Sequence, residues 1–219
     1  MRNRLILRQF NRLRIVFRQL RGEINENEQM FISDMAYEVF SKQLFKTLKE
    51  GLYETVEETS NFLVNHRNIS EKLIPAVKNK TLKKLSQKVV AEKVTNITKT
   101  TKEIINRVIV LGQEQGLNIR DIAKNITQKV KGMEKKRAMV IARTETATTA
   151  TTTYFNGLEQ AGLEKTWWHV GGGKTDRKSH LACDKETRQV NEKFSCGLMH
   201  PHDLGAPAEE IINCHCELI

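Results

Sequence analysis

The sequence predicts a mainly α-helical α+β protein, in which long helices form an N-terminal body and a small Cys/His-rich α+β module follows. Two observations support this prediction. Apolar residues recur every three or four positions up to about Gly157, which is the period of an amphipathic helix. Beyond about Lys165 the composition changes, because all four cysteines and both tryptophans lie there. We therefore expect a helical body over residues 1–115 and a second domain over 116–219, with its Cys/His-rich part at about 165–219.

The bulk composition limits the classes of protein to consider. The formal net charge is +10, from 36 Lys and Arg against 26 Asp and Glu, which favours polyanions or acidic protein surfaces as partners. Aromatic residues make up only 6%, which suits elongated helices better than a large all-β core. No run of about 18 apolar residues occurs, so we expect no membrane span.

The first twenty-two residues form a basic amphipathic segment that contains seven arginines and no acidic residue. Its apolar residues lie at helical spacing between the arginines. A nucleic-acid arm, a helix that docks on a partner, and a surface helix packed on its own domain all fit this pattern. The candidate contacts to DNA or to a portal protein are Arg2, Arg4, Arg8, Arg12, Arg14 and Arg18.

Two more periodic stretches complete the predicted helical body. From Glu28 to about Val64 the pattern predicts a helix that breaks near Gly51. The next stretch, residues 82–108, predicts one long amphipathic helix with Pro75 close to its beginning, where a proline is tolerated. Because strict heptads are not sustained, a helical hairpin or bundle is favoured over a coiled coil.

Two further helices are expected before the composition changes. Asn118 is a candidate N-cap for a short helix that ends near Gly132. A second helix would follow and run towards Gly157. Seven threonines between Thr144 and Thr153 lower the helix propensity of this second segment.

The C-terminal module opens with a predicted strand at Trp167–Val170 and then carries many metal-binding residue types. His180 and Cys183 form one closely spaced pair, and Cys214 and Cys216 form another. Thiolates combined with imidazoles suit Zn²⁺ in a closed tetrahedral site, and a small module with few apolar side chains would gain folding free energy from it. The candidate zinc ligands are His180, Cys183, Cys214 and Cys216, with Cys196 and His200 as alternatives.

Other interpretations of these cysteines stay open. The sequence lacks the paired Cys-x-x-Cys motifs of the more specific zinc signatures. Two disulfides are conceivable, but the chain shows no secretory signal, and disulfides are uncommon in reducing cytosol. In the simplest interpretation Cys183 is a small buried hydrophobe and His180 a hydrogen-bonded structural residue. No cofactor would then be required.

Three ordered blocks in the second half of the chain resemble one protein family. The first runs from Gly116 to Thr146 and ends in Ile-Ala-Arg-Thr-Glu-Thr. The second combines the segment Lys165–Trp168 with an Arg-x-Ser-His motif at 177–180 and with Asp184. The third runs from His200 to a terminal Asn-Cys-His-Cys at 213–216. Together these blocks resemble the Mu F-like, or head-morphogenesis, minor head proteins of tailed bacteriophages.

The resemblance implies a structural protein rather than an enzyme. Such a protein would act in head assembly and in DNA packaging or delivery, near the portal vertex inside the head. The implied partners are the portal protein, the major capsid or scaffold protein, and double-stranded DNA bound without sequence specificity. The implied locations are the virion and, during assembly, the host cytoplasm.

The resemblance also implies roles for the motif residues. Arg143 and Glu145 would form a polar pair that supports the module, and Trp168 would be its main apolar anchor. A polar network would lie beneath the tryptophan strand. The implied structural residues are Arg143, Thr144, Glu145, Trp168, Arg177, His180, Asp184 and Asn213.

The main alternative is a metal-dependent nuclease, since the module contains residue types that hold a divalent cation and activate water. These residues are His180, Asp184, His200, His202, Asp203, Asn213 and His215. They form no compact His-Asn-His pattern, which weakens the hypothesis. A zinc-containing nucleic-acid-binding module outside any phage is a further alternative.

Overall fold

The computed structural model describes residues 1–26, 33–171 and 176–219. Within these ranges the protein is mainly α-helical with a small antiparallel sheet near the C-terminus, which confirms the predicted fold class. The helices are α1 (Arg2–Glu26), α2 (Asp34–Arg67), α3 (Ile74–Lys84), α4 (Gln87–Glu114), α5 (Ile119–Ala161), α6 (Lys178–Ala182) and α7 (Ala208–Ile211), and a 3₁₀ turn covers Glu71–Leu73. The strands are β1 (Lys165–Trp168), β2 (Thr187–Arg188) and β3 (Glu217–Leu218).

Helix α2 does not break at Gly51, contrary to the prediction. A glycine inside a helix costs about 1 kcal/mol relative to alanine. Leu48 and Leu52 on either side are both buried, and burying one leucine side chain contributes about 1.5–3 kcal/mol. Packing therefore outweighs the low propensity of this one residue. The predicted start of this helix at Glu28 lies outside the described residues.

The single helix predicted over residues 82–108 is wrong, because the chain leaves the helix at Leu85, which has φ −98° and ψ 45°. The result is two helices, α3 and α4, and Pro75 occupies the first turn of α3. The predicted cap of α5 is confirmed. Asn118 Oδ1 accepts a hydrogen bond from the Asp121 amide at 3.0 Å, and Asn118 Nδ2 donates to Asp121 Oδ2 at 2.8 Å.

Helix α5 runs unbroken through Gly132 and through the threonine-rich segment, where two helices were expected. The side chains of residues 146–158 are all buried. Thr153 donates its hydroxyl hydrogen to the Thr149 carbonyl at 2.8 Å, so a buried threonine can satisfy its polar atom inside its own helix. Burial of the whole segment overrides its low helix propensity.

The described residues form two compact units. The module-bearing unit contains Met1–Ile6, Gly51–Ser86 and Arg143–Ile219, and the helical unit contains Leu7–Glu50 and Gln87–Ala142. The core of the helical unit is made of apolar side chains at helical spacing: Leu13, Phe17, Phe40, Leu44, Ile105, Ile122 and Val130.

The core of the module-bearing unit is chemically mixed. Apolar side chains from α2, α3, α5 and the module pack together with three cysteine thiols. These buried residues are Leu63, Ile69, Val77, Tyr154, Phe155, Leu158, Trp167, Cys183, Phe194, Cys214, Cys216 and Leu218. The module is therefore packed onto long helices of the same unit.

The three-stranded sheet fixes the end of the chain beside the tryptophans. Its order is β2-β1-β3 with both pairings antiparallel, and Trp167 pairs with Leu218. Neighbouring residues of a strand point to opposite faces. Trp167 is fully buried whereas Trp168 is 41% exposed, so the expectation that Trp168 anchors the module was wrong by one residue.

None of the helices described is long and apolar enough to span a bilayer.

Candidate metal centre in the C-terminal module

Three buried side chains with metal-binding atoms meet in the module. His180 Nδ1 lies 3.5 Å from Cys214 Sγ and 3.5 Å from Cys216 Sγ. Their three ligand atoms all lie within 4.8 Å of one another. Helix α6 carries the histidine, and the segment between α7 and β3 carries both cysteines. We call these three residues the Cys/His cluster.

The second ring nitrogen of His180 lies beside a carboxylate. Glu210 Oε2 on α7 lies 2.7 Å from His180 Nε2, an ion-pair distance without the alignment of a hydrogen bond. The hydroxyl of Ser179 donates to the same carboxylate oxygen at 3.2 Å. The Trp167 ring packs edge-on against the imidazole, with ring centroids 5.1 Å apart. Nδ1 is thereby directed towards the two thiols.

Helix α5 fixes the backbone just before the first cysteine of the cluster. Asn213 has a left-handed backbone with φ 57°, which asparagine tolerates better than most residues. Its amide donates to Thr144 Oγ1 at 3.0 Å, and its side-chain Oδ1 accepts from Arg143 Nη1 at 2.5 Å. Three of the motif residues, Arg143, Thr144 and Asn213, are thus joined by hydrogen bonds. Glu145 follows them on α5 and is half-buried.

The first helix holds the cysteine pair from the other side. Arg2 Nη1 donates to the Cys216 carbonyl at 2.9 Å, and Arg2 Nη2 donates to the His215 carbonyl at 2.8 Å. The same guanidinium pairs with Glu217 at 2.7 Å. Burial lowers the pKa of Arg2. A residue expected to contact DNA or a portal therefore binds the module of its own chain.

Two further motif residues position main-chain segments around the cluster. Arg177 Nη2 donates to the Ile212 carbonyl at 2.7 Å, and Arg177 Nε donates to the Glu209 carbonyl at 2.5 Å. Asp184 Oδ1 accepts the His169 amide at 2.9 Å. These contacts tie α7 and the end of β1 to the segments around the cluster.

The two thiols of the cluster are electrostatically unequal. Hydrogen bonding from Cys216, assisted by His180 and His202, holds the pKa of Cys214 well below its usual range, although burial acts in the opposite direction. Hydrogen bonding to Cys214, burial and the charge of that neighbour raise the pKa of Cys216. The site therefore favours one thiolate among imidazoles, which is the form of cysteine that binds metals.

Two more histidines flank the cluster. His202 is fully buried, and neither of its ring nitrogens has a hydrogen-bond partner among the described residues, yet the ring lies close enough to lower the pKa of Cys214. His169 Nδ1 lies 3.4 Å from Cys216 Sγ, and its Nε2 lies 3.2 Å from Asp176 Oδ2.

The sequence had singled out His202 as a metal-binding residue type but not among the assigned zinc ligands, and it had not singled out His169. The positions of His202 and His169 in the sequence do not indicate that either residue lies beside the Cys/His cluster.

Comparison with known proteins identifies the family. Residues 103–219 match the family model described as Phage Mu protein F like protein, which is more than half of the chain. The chain belongs to this family. The matched region contains the whole Cys/His cluster. No curated protein and no solved structure gave a match.

Membership makes the chain a phage head-related protein, of a family that acts in structure and morphogenesis. The identification agrees with the resemblance found in the sequence.

The remaining candidate ligands of this Mu F-like protein lie elsewhere in the module. Cys183 Sγ is 3.4 Å from Ser195 Oγ and accepts the Cys196 amide at 3.3 Å. Burial raises the pKa of Cys196 to about 12. His200 donates from Nδ1 to the Pro201 carbonyl at 2.8 Å, and burial lowers its pKa to about 4. The structure does not bring these three residues into the cluster.

An open cavity of about 600 Å³ reaches the Cys/His cluster of the Mu F-like module. His169, Arg177 and His215 line it together with the cluster residues. The carboxylates of the nuclease hypothesis are occupied by main-chain groups. Asp203 accepts the amides of Met199 and Gly205, both at 3.1 Å, and Asp184 accepts the amide of His169.

Lys165 belongs to the Lys165–Trp168 block of the family resemblance, but its structural role was not predicted: its side chain is buried at the start of β1. Its Nζ donates to the carbonyls of Val190, Glu192 and Met199. The Phe194 ring centroid lies 5.1 Å from the same nitrogen. Burial lowers the pKa of Lys165 to about 8. The lysine fixes the loop over residues 190–199, and a lysine two residues before Trp167 gives no sign of this role in the sequence.

Proposed function

We propose that this Mu F-like protein is a minor head protein that binds near the portal vertex inside the phage head. There it assists head assembly and DNA packaging or delivery. The observation that carries the proposal is the family match over residues 103–219. The proposed partners are the portal protein and the major capsid or scaffold protein, which it would meet in the host cytoplasm during assembly.

The contacts of the polar motif residues support a structural role. Arg177, Asp184 and Asn213 all bind main-chain groups or helix side chains of the same unit. A metal-dependent nuclease would need a carboxylate and an imidazole that face one cavity together with a water molecule. Because its candidate carboxylates hold loop amides, the nuclease hypothesis is the weaker one.

Co-expression tests the assembly role. The full chain is produced with the portal and major capsid proteins of the same phage, and particles are purified by sedimentation. We expect the protein in portal-containing particles and not in particles assembled without portal. A chain that stays at the top of the gradient in both preparations contradicts the proposal. DNA cleavage by the free chain with Mg²⁺ or Mn²⁺ would favour the nuclease.

Several of the N-terminal arginines that were candidates for DNA contact instead bind groups within the protein. Arg4 pairs with Glu58 at 2.9 Å, and Arg14 lies over the Phe10 ring at 5.5 Å, in addition to the contacts of Arg2. Engaged cations gain less from neutralising phosphates, because their charges already have partners. An exposed cationic face is therefore the better candidate for binding DNA.

Such a face lies on α5 in the helical unit. Four exposed cations occur at positions i, i+4, i+11 and i+15, which share one side of a helix. They are Arg120, Lys124, Lys131 and Lys135. We propose that this α5 basic face binds the phosphates of packaged DNA without reading its sequence.

The salt dependence of DNA binding tests the α5 basic face. Replacing Lys124, Lys131 and Lys135 by glutamine should make the plot of log K against log salt less steep, by about 0.9 for each phosphate that the variant no longer neutralises. The matched control replaces Lys72, Lys178 and Lys193, which are exposed on the module-bearing unit, and changes the net charge equally. Equal reductions in both triple variants would refute a localised DNA face.

A further inference from the structure

We propose that the module binds one Zn²⁺ in a closed tetrahedral site formed by two thiolates and two imidazoles, those of Cys214, Cys216, His180 and His202. This inference goes beyond the assembly role, and it does not depend on it. It rests on interatomic distances, on the surroundings of each ligand, and on the buried state of His202.

The distances in the Cys/His cluster match those of a tetrahedral zinc site. Zn–S bonds of about 2.3 Å and Zn–N bonds of about 2.0–2.1 Å place a sulfur and a nitrogen of one tetrahedron about 3.5 Å apart. His180 Nδ1 lies 3.5 Å from each cluster thiol. A hydrogen-bonded histidine that served only the core would need one such neighbour. Here one nitrogen faces two sulfurs at once.

The groups around the ligands also fit a metal site. A metal-binding histidine usually contacts a carboxylate or a carbonyl through its other ring nitrogen, which fixes the ring. Glu210 takes this place beside His180 Nε2. Arg2 and Arg143 hold the segment that carries the two cysteines. The three ligands are thus positioned by contacts that do not involve the metal.

Two imidazoles compete for the fourth position, and burial decides between them. His169 lies near Cys216, but its Nε2 already meets Asp176, and the ring borders the open cavity. His202 is 1% exposed, and neither of its ring nitrogens has a hydrogen-bond partner among the described residues. An unpaired buried polar atom is costly, and a metal–nitrogen bond would satisfy one. We therefore assign His202.

Proton and charge balance suit a buried site. Each cysteine releases its proton to solvent when its sulfur binds Zn²⁺, and each histidine binds through an unprotonated nitrogen. Two thiolates cancel the charge of the ion, so the closed site is neutral. A neutral site avoids the cost of burying an unbalanced charge.

Metal analysis of the full-length chain is the first test. Protein purified under reducing conditions should contain about one zinc per chain, as a closed structural site does. After exchange with Co²⁺ it should show thiolate-to-cobalt charge-transfer bands and the intense visible bands of tetrahedral cobalt. A folded chain that contains no zinc and shows no cobalt spectrum overturns the proposal.

Variants then identify the ligands. Cys214→Ser, Cys216→Ser and His180→Gln should each lose the metal to a competing chelator that leaves the wild type loaded. The matched controls are Cys196→Ser, outside the cluster, and His215→Gln, an exposed residue between the two cysteines. Both controls should keep the metal. Loss of metal in the controls, or its retention in the three ligand variants, contradicts the assignment.

Substitution of His202 tests the fourth ligand. His202→Asn, which keeps a residue that tolerates the backbone φ of 60°, should lose the tetrahedral cobalt bands. His202→Cys should keep the metal, and its charge-transfer band should grow about 1.5-fold because three thiolates replace two. An unchanged cobalt spectrum in His202→Asn, or metal loss in His169→Gln instead, overturns the role of His202.

Discussion

In the helical unit the buried side chains are mostly apolar and come from helix positions three or four residues apart. The C-terminal part of the module-bearing unit instead buries a lysine, three cysteines and three histidines among a few apolar residues. Both units bury a core, but they do so with different chemistry.

The two kinds of core differ in how well they tolerate the substitution of single residues. An apolar contact is non-directional, so a helical core tolerates changes that keep its volume. A buried polar atom needs a particular partner at a particular distance, and loss of that partner leaves an unsatisfied group. Single substitutions of polar residues in the module should therefore have larger effects than conservative apolar changes in the helical unit.

The largest effect on stability is expected for Lys165→Met. It removes the donor for the carbonyls of Val190, Glu192 and Met199, and one unsatisfied buried acceptor costs about 1–3 kcal/mol. We expect a loss of about 3 kcal/mol or more in the free energy of unfolding. Urea unfolding followed by tryptophan fluorescence measures it, since both tryptophans lie in the module.

Lys193→Met is the control for this experiment, because Lys193 is an exposed lysine of the loop that Lys165 holds. A surface change of this kind should alter stability by no more than about 0.5 kcal/mol. If Lys165→Met is equally mild, the three carbonyls find other donors, and the module is less dependent on single polar residues than the comparison implies.

The helical unit contains a buried ion pair, which allows a direct comparison. Arg21 pairs with the buried carboxylate of Glu134 at 2.5 Å. Arg21→Met should cost about 3 kcal/mol, since removing one partner leaves a buried charge unpaired. The double variant with Glu134→Leu should recover much of this loss, because apolar residues can replace a buried pair. Circular dichroism at increasing urea concentration measures both variants.

A double variant as unstable as Arg21→Met would mean that the carboxylate is not the source of the cost. The helical unit would then resemble the module in requiring its polar partners individually.

The same contrast explains what the sequence could predict. The apolar period correctly indicated helical structure in the regions of α1, α2, α4 and α5, because helical packing repeats along the chain, but it missed the break at Leu85. It failed where local propensity and burial disagreed, as at Gly51 and in the threonine-rich part of α5. There the buried neighbours decide, and they come from distant parts of the chain.

For the candidate site, the residue types pointed to His180, Cys214 and Cys216, which the structure does bring together. The spacing of His180 and Cys183 suggested a pair, but their side chains point into different surroundings. The contacts of His202 and Lys165 depend on the folding of loops with no repeating pattern. No periodicity in the sequence could have revealed them.

The smallest effects on the free energy of unfolding should come from alanine substitutions at two glycines of α5, and the two effects should have opposite signs. A Cβ at Gly132 meets no atom within 4 Å, so Gly132→Ala should stabilise the protein by about 0.5–1 kcal/mol through helix propensity alone. A Cβ at Gly157 would lie 2.5 Å from Leu63 Cδ1, and Leu63 is fully buried. Overpacking costs about 1–3 kcal/mol, which exceeds the gain in propensity, so Gly157→Ala should destabilise.

Urea unfolding followed by circular dichroism compares the two variants. If Gly157→Ala stabilises as much as Gly132→Ala, α2 and α5 do not pack closely at Leu63, and the core of the module-bearing unit adapts more easily than its mixed chemistry implies.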